Sequence, residues 1–157
     1  MSVGEIGEIC NPEVITIDAE ASVFDAARLM RDHHVGSLIV VNSDSPTPNK
    51  PIGIITDRDL VVDVMALDKT VATPSIHAIM GNELLTGRAT DGVWETILRM
   101  RAMGVRRMPV VDGQGDLCGI LAMDDLLQFL SGELTDLVRL IRRERIREIE
   151  TRPPVSA

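Results

Sequence analysis

The chain contains itself twice. Displacing the sequence by 70 residues lays Val14–Val41 over Leu84–Val111, with identities at Thr16/Thr86, Ala19/Ala89, Val23/Val93, Met30/Met100, Arg31/Arg101, Val35/Val105, Val40/Val110 and Val41/Val111. Phe24 falls on Trp94 and Asp25 on Glu95, and the lead-ins match too, Ile6, Ile9 and Cys10 facing Ile76, Ile79 and Met80. Further on, a displacement of 66 aligns Gly53, Ile54, Asp59 and Leu60 with Gly119, Ile120, Asp125 and Leu126, so the first copy carries 4 extra residues. They fall in Ser43–Lys50, where Ser, Pro, Asn and Asp predict a surface loop. The copies run over residues 5–67 and 75–133, with a linker at 68–74. A unit of about 60 residues buries only about 60% of the surface its unfolded chain exposes, so neither copy makes an adequate core alone. Packing the two together solves that.

Within each copy the pattern predicts β-α-β-β-α, an α/β (α+β) fold of two such units side by side. Short β-favouring runs at Val14–Ile17 and Leu84–Thr86 come first. Val23, Ala26, Ala27 and Met30 then recur at helical spacing behind Ser22 and Asp25, and Val93, Ile97 and Met100 keep the same face. Strands follow at Ser37–Val41 and Met108–Val111, then at Ile52–Ile55 and Leu117–Leu121. A second helix begins at Asp57 or Asp124, with Leu60, Val61 and Val64 or Leu126, Leu127 and Leu130 as its apolar face. After Gly132, Leu134, Leu137, Val138, Ile141 and Ile149 mark a separate amphipathic helix over 134–152, stopped before Pro153 and Pro154. Its apolar stripe must cover the module itself or a second subunit. Its arginines alternate with Glu144, Glu148 and Glu150, the pattern of a solvated, ion-paired face.

Charge and composition narrow the function. A net charge of −8, a pI near 4.8 and only Phe24, Trp94 and Phe129 as aromatics argue against nucleic acid, which needs a basic footprint and stacking platforms. No run approaches the ~20 apolar residues of a membrane span, and Met1–Glu5 lack a signal peptide's basic start, so no membrane insertion and a cytoplasmic location are expected. Cys10 and Cys118 form no metal or disulfide framework and read as reduced core thiols. His33, His34 and His77 have no third ligand at metal-binding spacing. There is no P-loop, no G-x-S-x-G and no paired-acid pattern, so the chain is not expected to be an enzyme.

The unit ending in GIITDRD (Gly53–Asp59) and GILAMDD (Gly119–Asp125), with GVRRMPVVD (Gly104–Asp112) in the second copy, resembles the cystathionine β-synthase (CBS) domain, which occurs in tandem pairs called Bateman modules. The resemblance covers the chain to about residue 133 and is that of a stand-alone bacterial-type CBS protein. It implies two pseudo-twofold-related repeats packed sheet to sheet, two clefts between them for adenosine ligands such as AMP, ADP, ATP, NAD or S-adenosylmethionine, with no obligatory cofactor, and a homodimer.

It also implies site residues. Thr56 and Asp59 match the family's G-h-h-T/S-x-x-D ribose motif, since a carboxylate accepts from ribose hydroxyls. A hydroxyl followed three residues later by an acid at a helix start is equally a capping box, and both readings stand. The second copy keeps Asp125 but has Ala122 for the hydroxyl. Arg106 and Arg107 stand where many members contact phosphate, which arginine binds bidentately, and pseudo-symmetry lets them complete the cleft of Asp59. Lys50 is a lesser phosphate candidate; Val14, Ile15, Thr16, Ile39 and Pro109 would line the base slot. The expected function is an adenine-nucleotide sensor that regulates an unidentified partner protein. The alternative is a ligand-independent scaffold acting through dimerisation and the C-terminal helix.

Overall fold

The computed structural model describes residues 4–70, 72–152, 154 and 155. Met1–Val3, which enter the signal-peptide reading, Val71 of the linker and Pro153 of the helix stop lie outside the described residues.

Each copy forms a three-stranded sheet with helices on one face. The first has α1 (Ile6–Ile9), β1 (Thr16–Asp18), α2 (Val23–His33), β2 (Ser37–Val41), β3 (Gly53–Thr56) and α3 (Asp57–Asp59), which runs on as a π-helical stretch over Leu60–Met65. The second has α4 (Ile76–Ile79), β4 (Gly87–Arg88), α5 (Val93–Met103), β5 (Arg107–Val111), β6 (Leu117–Ala122) and α6 (Met123–Thr151). In both, the first strand runs parallel to the second through the helical crossover, and the third is antiparallel, giving the orders β1-β2-β3 and β4-β5-β6.

Local chemistry sets the boundaries. Ser22 caps α2: its Oγ accepts from the Asp25 amide at 3.1 Å while Asp25 Oδ2 accepts from the Ser22 amide at 3.1 Å. The helix ends at His34, which adopts a left-handed conformation (φ 54°), as Gly104 does after α5 (φ 66°). The first strands form two or three residues later than the apolar runs suggest, because their ladder partners lie at Ile39–Val41 and Val110–Val111. A larger departure is at the C-terminus. Gly132 does not break the chain, and the two predicted helices are one helix of 29 residues, with every residue from Ser131 to Thr151 exposed.

Side chains alternate across each sheet. Leu38, Val40 and Ile55 enter one core with Ile17, Val23, Ala26 and Met30, and Met108, Val110 and Leu121 enter the other with Val93 and Met100. Ile39 and Pro109 point the opposite way yet are fully buried, because the sheets cover each other on that side.

The lead-ins are exchanged between copies. Ile6 of α1 is buried in the second core, with its amide bonded to Asp91 O and that of Gly7 to Ala89 O, both at 2.9 Å. Ile76 of α4 is buried in the first core, with its amide on Ala21 O and that of His77 on Ala19 O, again at 2.9 Å. Asn11 also pairs with Ile120 in both directions. Each copy's matching lead-in therefore completes the other copy's core. The cysteine reading needs correction: Cys10 is half-buried, but Cys118 is exposed and is no core thiol, because it lies on β6 between the inward-facing Leu117 and Gly119.

Candidate functional site

Strand register gathers one corner in each repeat. In the first, Ser37 at the start of β2 faces Thr56 at the end of β3, and Ile15, just before β1, accepts from the Ile39 amide at 3.0 Å. Val14, Ile15, Ser37, Thr56 and Asp59 thus share one end of the sheet, all of them half-buried.

Thr56 and Asp59 form a complete capping box. Asp59 Oδ2 accepts from the Thr56 amide at 2.7 Å and Thr56 Oγ1 accepts from the Asp59 amide at 3.2 Å. The cap reading is therefore realised, and it does not exhaust the carboxylate. Among the described residues no donor reaches Asp59 Oδ1, so a fixed and half-buried acceptor remains. Asp57 stands beside it, its amide on Gly36 O at 3.0 Å and its Oδ2 3.3 Å from where a Cβ on Gly36 would lie. In the sequence Asp57 marks only a helix start, and its place two residues before Asp59 is the signal that sets it at this corner.

The second corner has the same backbone and different groups. Arg107 faces Ala122, and Arg106 O accepts from the Met123 amide at 2.8 Å. Asp125 Oδ2 accepts from the Ala122 amide at 2.8 Å, but Ala122 has no oxygen to return the bond, so only half the box forms. Asp125 also borders a 320 Å³ cavity with Ile9, Gln128, Glu133 and Asp136, an acid-lined space unsuited to phosphate. Cys10 covers this region from the exchanged lead-in; burial pushes its thiol pKa up, and Cys118 and Asp125 add repulsion of the thiolate.

Several candidates sit differently from the expectation. Arg106 and Arg107 are exposed at the corner of their own repeat, while the strand neighbour of Thr56 is Ser37; among the described residues no hydrogen bond or ion pair joins either arginine to Asp59. Lys50 precedes β3, at the end away from Thr56, and folds over Gly115, its Cε 3.5 Å from where a Cβ there would lie. It is drawn there by the inserted loop, whose Asn49 O accepts from the Leu117 amide at 2.9 Å. Ile39 and Pro109 are enclosed between the sheets and offer no open surface to a base, unlike Val14 and Ile15. Thr16 is exposed and borders a 410 Å³ cavity between the repeats, with Val41, Ser43, Asn49, Asp116 and Leu117.

Comparison with known proteins agrees with this architecture. The CBS domain model matches residues 6–65 and 76–132. An uncharacterized protein of Methanopyrus kandleri is 37% identical over 123 residues, 78% of this chain and 61% of that protein. The CBS domain-containing protein YhcV of Bacillus subtilis is 29% identical over 79% of this chain and 84% of its own length. This chain thus spans under two thirds of the Methanopyrus relative and most of the Bacillus one. Among solved structures, the CBS domain pair of protein MJ0100 in complex with 5-methylthioadenosine and S-adenosyl-L-methionine superposes with a TM-score of 0.70 at 24% identity, covering 82% of this chain and 97% of that one. A CBS-domain protein of Agrobacterium tumefaciens gives 0.68 at 22% identity, covering 80% and 92%. At such identities the likeness establishes the fold.

Proposed function

This chain belongs to the CBS domain family, as a tandem pair, and we propose that it is a cytoplasmic, homodimeric regulatory module that binds an adenosine ligand at the Thr56–Asp59 corner and modulates a partner protein. The observation that carries the reading is the free Oδ1 of Asp59. The capping bond on Oδ2 holds the carboxylate still, so accepting a ribose hydroxyl costs little further ordering. Val14 and Ile15 supply half-buried apolar surface for the base beside it. A structural relative that carries 5-methylthioadenosine and S-adenosyl-L-methionine supports this ligand class. Arg106 and Arg107 stand at the other corner, so the ligand of the Thr56–Asp59 corner is held through its ribose and its base. The ligand acts by favouring one arrangement of the repeats, and only to the extent that its affinity differs between arrangements. No catalytic step is assigned to the chain.

Titration calorimetry of nucleotide-stripped protein with AMP, ADP, ATP, NAD, S-adenosylmethionine and 5-methylthioadenosine tests the reading. The expected result is saturable binding of at least one compound, weakened at least tenfold in Asp59→Ala and little changed in Lys50→Ala. Heat signals that are absent for the whole set, or unchanged in Asp59→Ala, refute it. A ligand-independent scaffold would then be favoured by the exposed apolar stripe of α6.

A further inference from the structure

From Ser131 onward every residue of α6 is exposed; Glu133, Asp136, Leu137 and Leu140 still border the body across a 640 Å³ groove lined by Gly4, Val93 and Trp94, and the helix runs on to Thr151. Leu127, Leu134, Val138, Ile141 and Ile149 recur along one side of this helix and are 49–65% exposed. A helix derives most of its stability from packing an apolar face, and among the described residues this face is exposed.

Charge along α6 is unevenly divided. The first half carries Asp124, Asp125, Glu133 and Asp136 and no base, whereas Arg139, Arg142, Arg143, Arg145 and Arg147 outnumber Glu144, Glu148 and Glu150 in the second. Two copies side by side in the same direction would set acid against acid and base against base. In opposite directions each acidic half meets a basic half. The ends of the stripe share this symmetry: Val138 stands midway between Leu127 and Ile149, and midway between Asp124 and Arg152, while Leu134 falls opposite Arg142 and Ile141 opposite Thr135. At 100° per residue these five positions lie on one face of the helix. We propose that α6 pairs antiparallel with α6 of a second copy about a twofold axis at Val138, setting Leu127 against Ile149 and Asp124 against Arg152 of the second copy. The stems of Arg142 and Arg145 then cover apolar surface beside Leu134 and Ser131 of the second copy while their charges stay in water.

This rests on the homodimer reading above and names its interface. Sedimentation equilibrium of the full chain, wild type against Val138→Arg and Leu134→Arg, tests it; both sites are exposed, and circular dichroism verifies that the variants stay folded. The expected result is a wild-type dimer whose dissociation constant rises at least tenfold in each variant. Direction is read from a nitroxide on Thr151→Cys, in a Cys10→Ala, Cys118→Ser background that keeps the wild-type dissociation constant. Antiparallel pairing about Val138 places the two labels about 40 Å apart by helical rise, and parallel pairing under about 20 Å. A dimer indifferent to both variants overturns the α6 interface and leaves the homodimer standing; a short label distance overturns the antiparallel arrangement. A wild-type monomer at all concentrations overturns both this interface and the homodimer reading, without touching ligand binding.

Discussion

The two repeats trace the same path with different side chains, and the differences compensate within each core. The first core holds Ile17 from β1 and Leu38 from β2. At the matching places the second has Gly87 and Met108, and a Cβ on Gly87 would meet both Ile6 Cδ1 and Met108 Cε at 2.5 Å. The exchanged lead-in and the longer methionine fill the room that isoleucine fills in the first copy. The matched positions are thus filled by different groups along the same backbone path. Gly53 of β3 and Gly119 of β6 obey a related rule. A Cβ on Gly53 would lie 2.7 Å from Met80 Sδ and one on Gly119 2.5 Å from Cys10 Sγ, the two matched residues of the opposite lead-ins.

The comparison breaks most sharply at the lead-ins. Ile6→Ala and Ile76→Ala each remove a fully buried side chain, with an expected loss of about 2–5 kcal/mol. The damage should cross over: hydrogen exchange speeds up in β5 and β6 for Ile6→Ala and in β2 and β3 for Ile76→Ala. Loss of protection confined to the mutated residue's own copy would contradict the exchange of lead-ins. Next come the corners. Thr56→Ala should cost about 0.5–2 kcal/mol in denaturant unfolding, and Ala122→Thr should gain a similar amount by completing the second capping box. If Ala122→Thr brings no gain, the two corners differ in more than the hydroxyl.

A smaller effect is expected at the helix ends, where His34 holds a left-handed conformation that the second copy gives to Gly104. His34→Gly should stabilise by about 1 kcal/mol, seen as a higher unfolding midpoint. The smallest effect is one of pH. The Ser22 hydroxyl, then its amide, hold the Asp25 carboxyl below its ordinary value of 3.8. A carboxyl lowered by folding contributes stability above its unfolded pKa, and that contribution disappears as pH falls through the lower folded value. The gap between wild type and Ser22→Gly should therefore narrow in acid. Gly92, in the matching place, makes no such bond, so Gly92→Ser should introduce a similar dependence through Glu95 only if the longer acid can reach back.

Much of the fold was readable because its signals are local. Apolar spacing at Val23, Ala26 and Met30, the Ser22–Asp25 cap and the alternation of Leu38 and Val40 each report on a few neighbouring residues. Gly132 misled for the same reason: a lone glycine costs a helix about 1 kcal/mol, which the strong helix formers on both sides outweigh. At the candidate site the Thr56–Asp59 capping box was legible from spacing, while the ribose role proposed for the same pair came from the family resemblance. Lys50 and the arginines were harder to place, because their positions follow from the inserted loop and from strand register.

The repeat and its periodicities are enough to specify two β-α-β-β-α units that need each other, because spacing and turn chemistry act over a few residues and apolar surface must be buried. Which lead-in enters which core could not be read from the chain. Ile6 and Ile76 occupy matching places and suit either core by size and polarity, so the outcome depends on loop reach and on backbone pairing across the interface, such as Asn11 with Ile120. Those are properties of the assembled pair of sheets, and they decide which groups stand beside Asp59 and which beside Asp125.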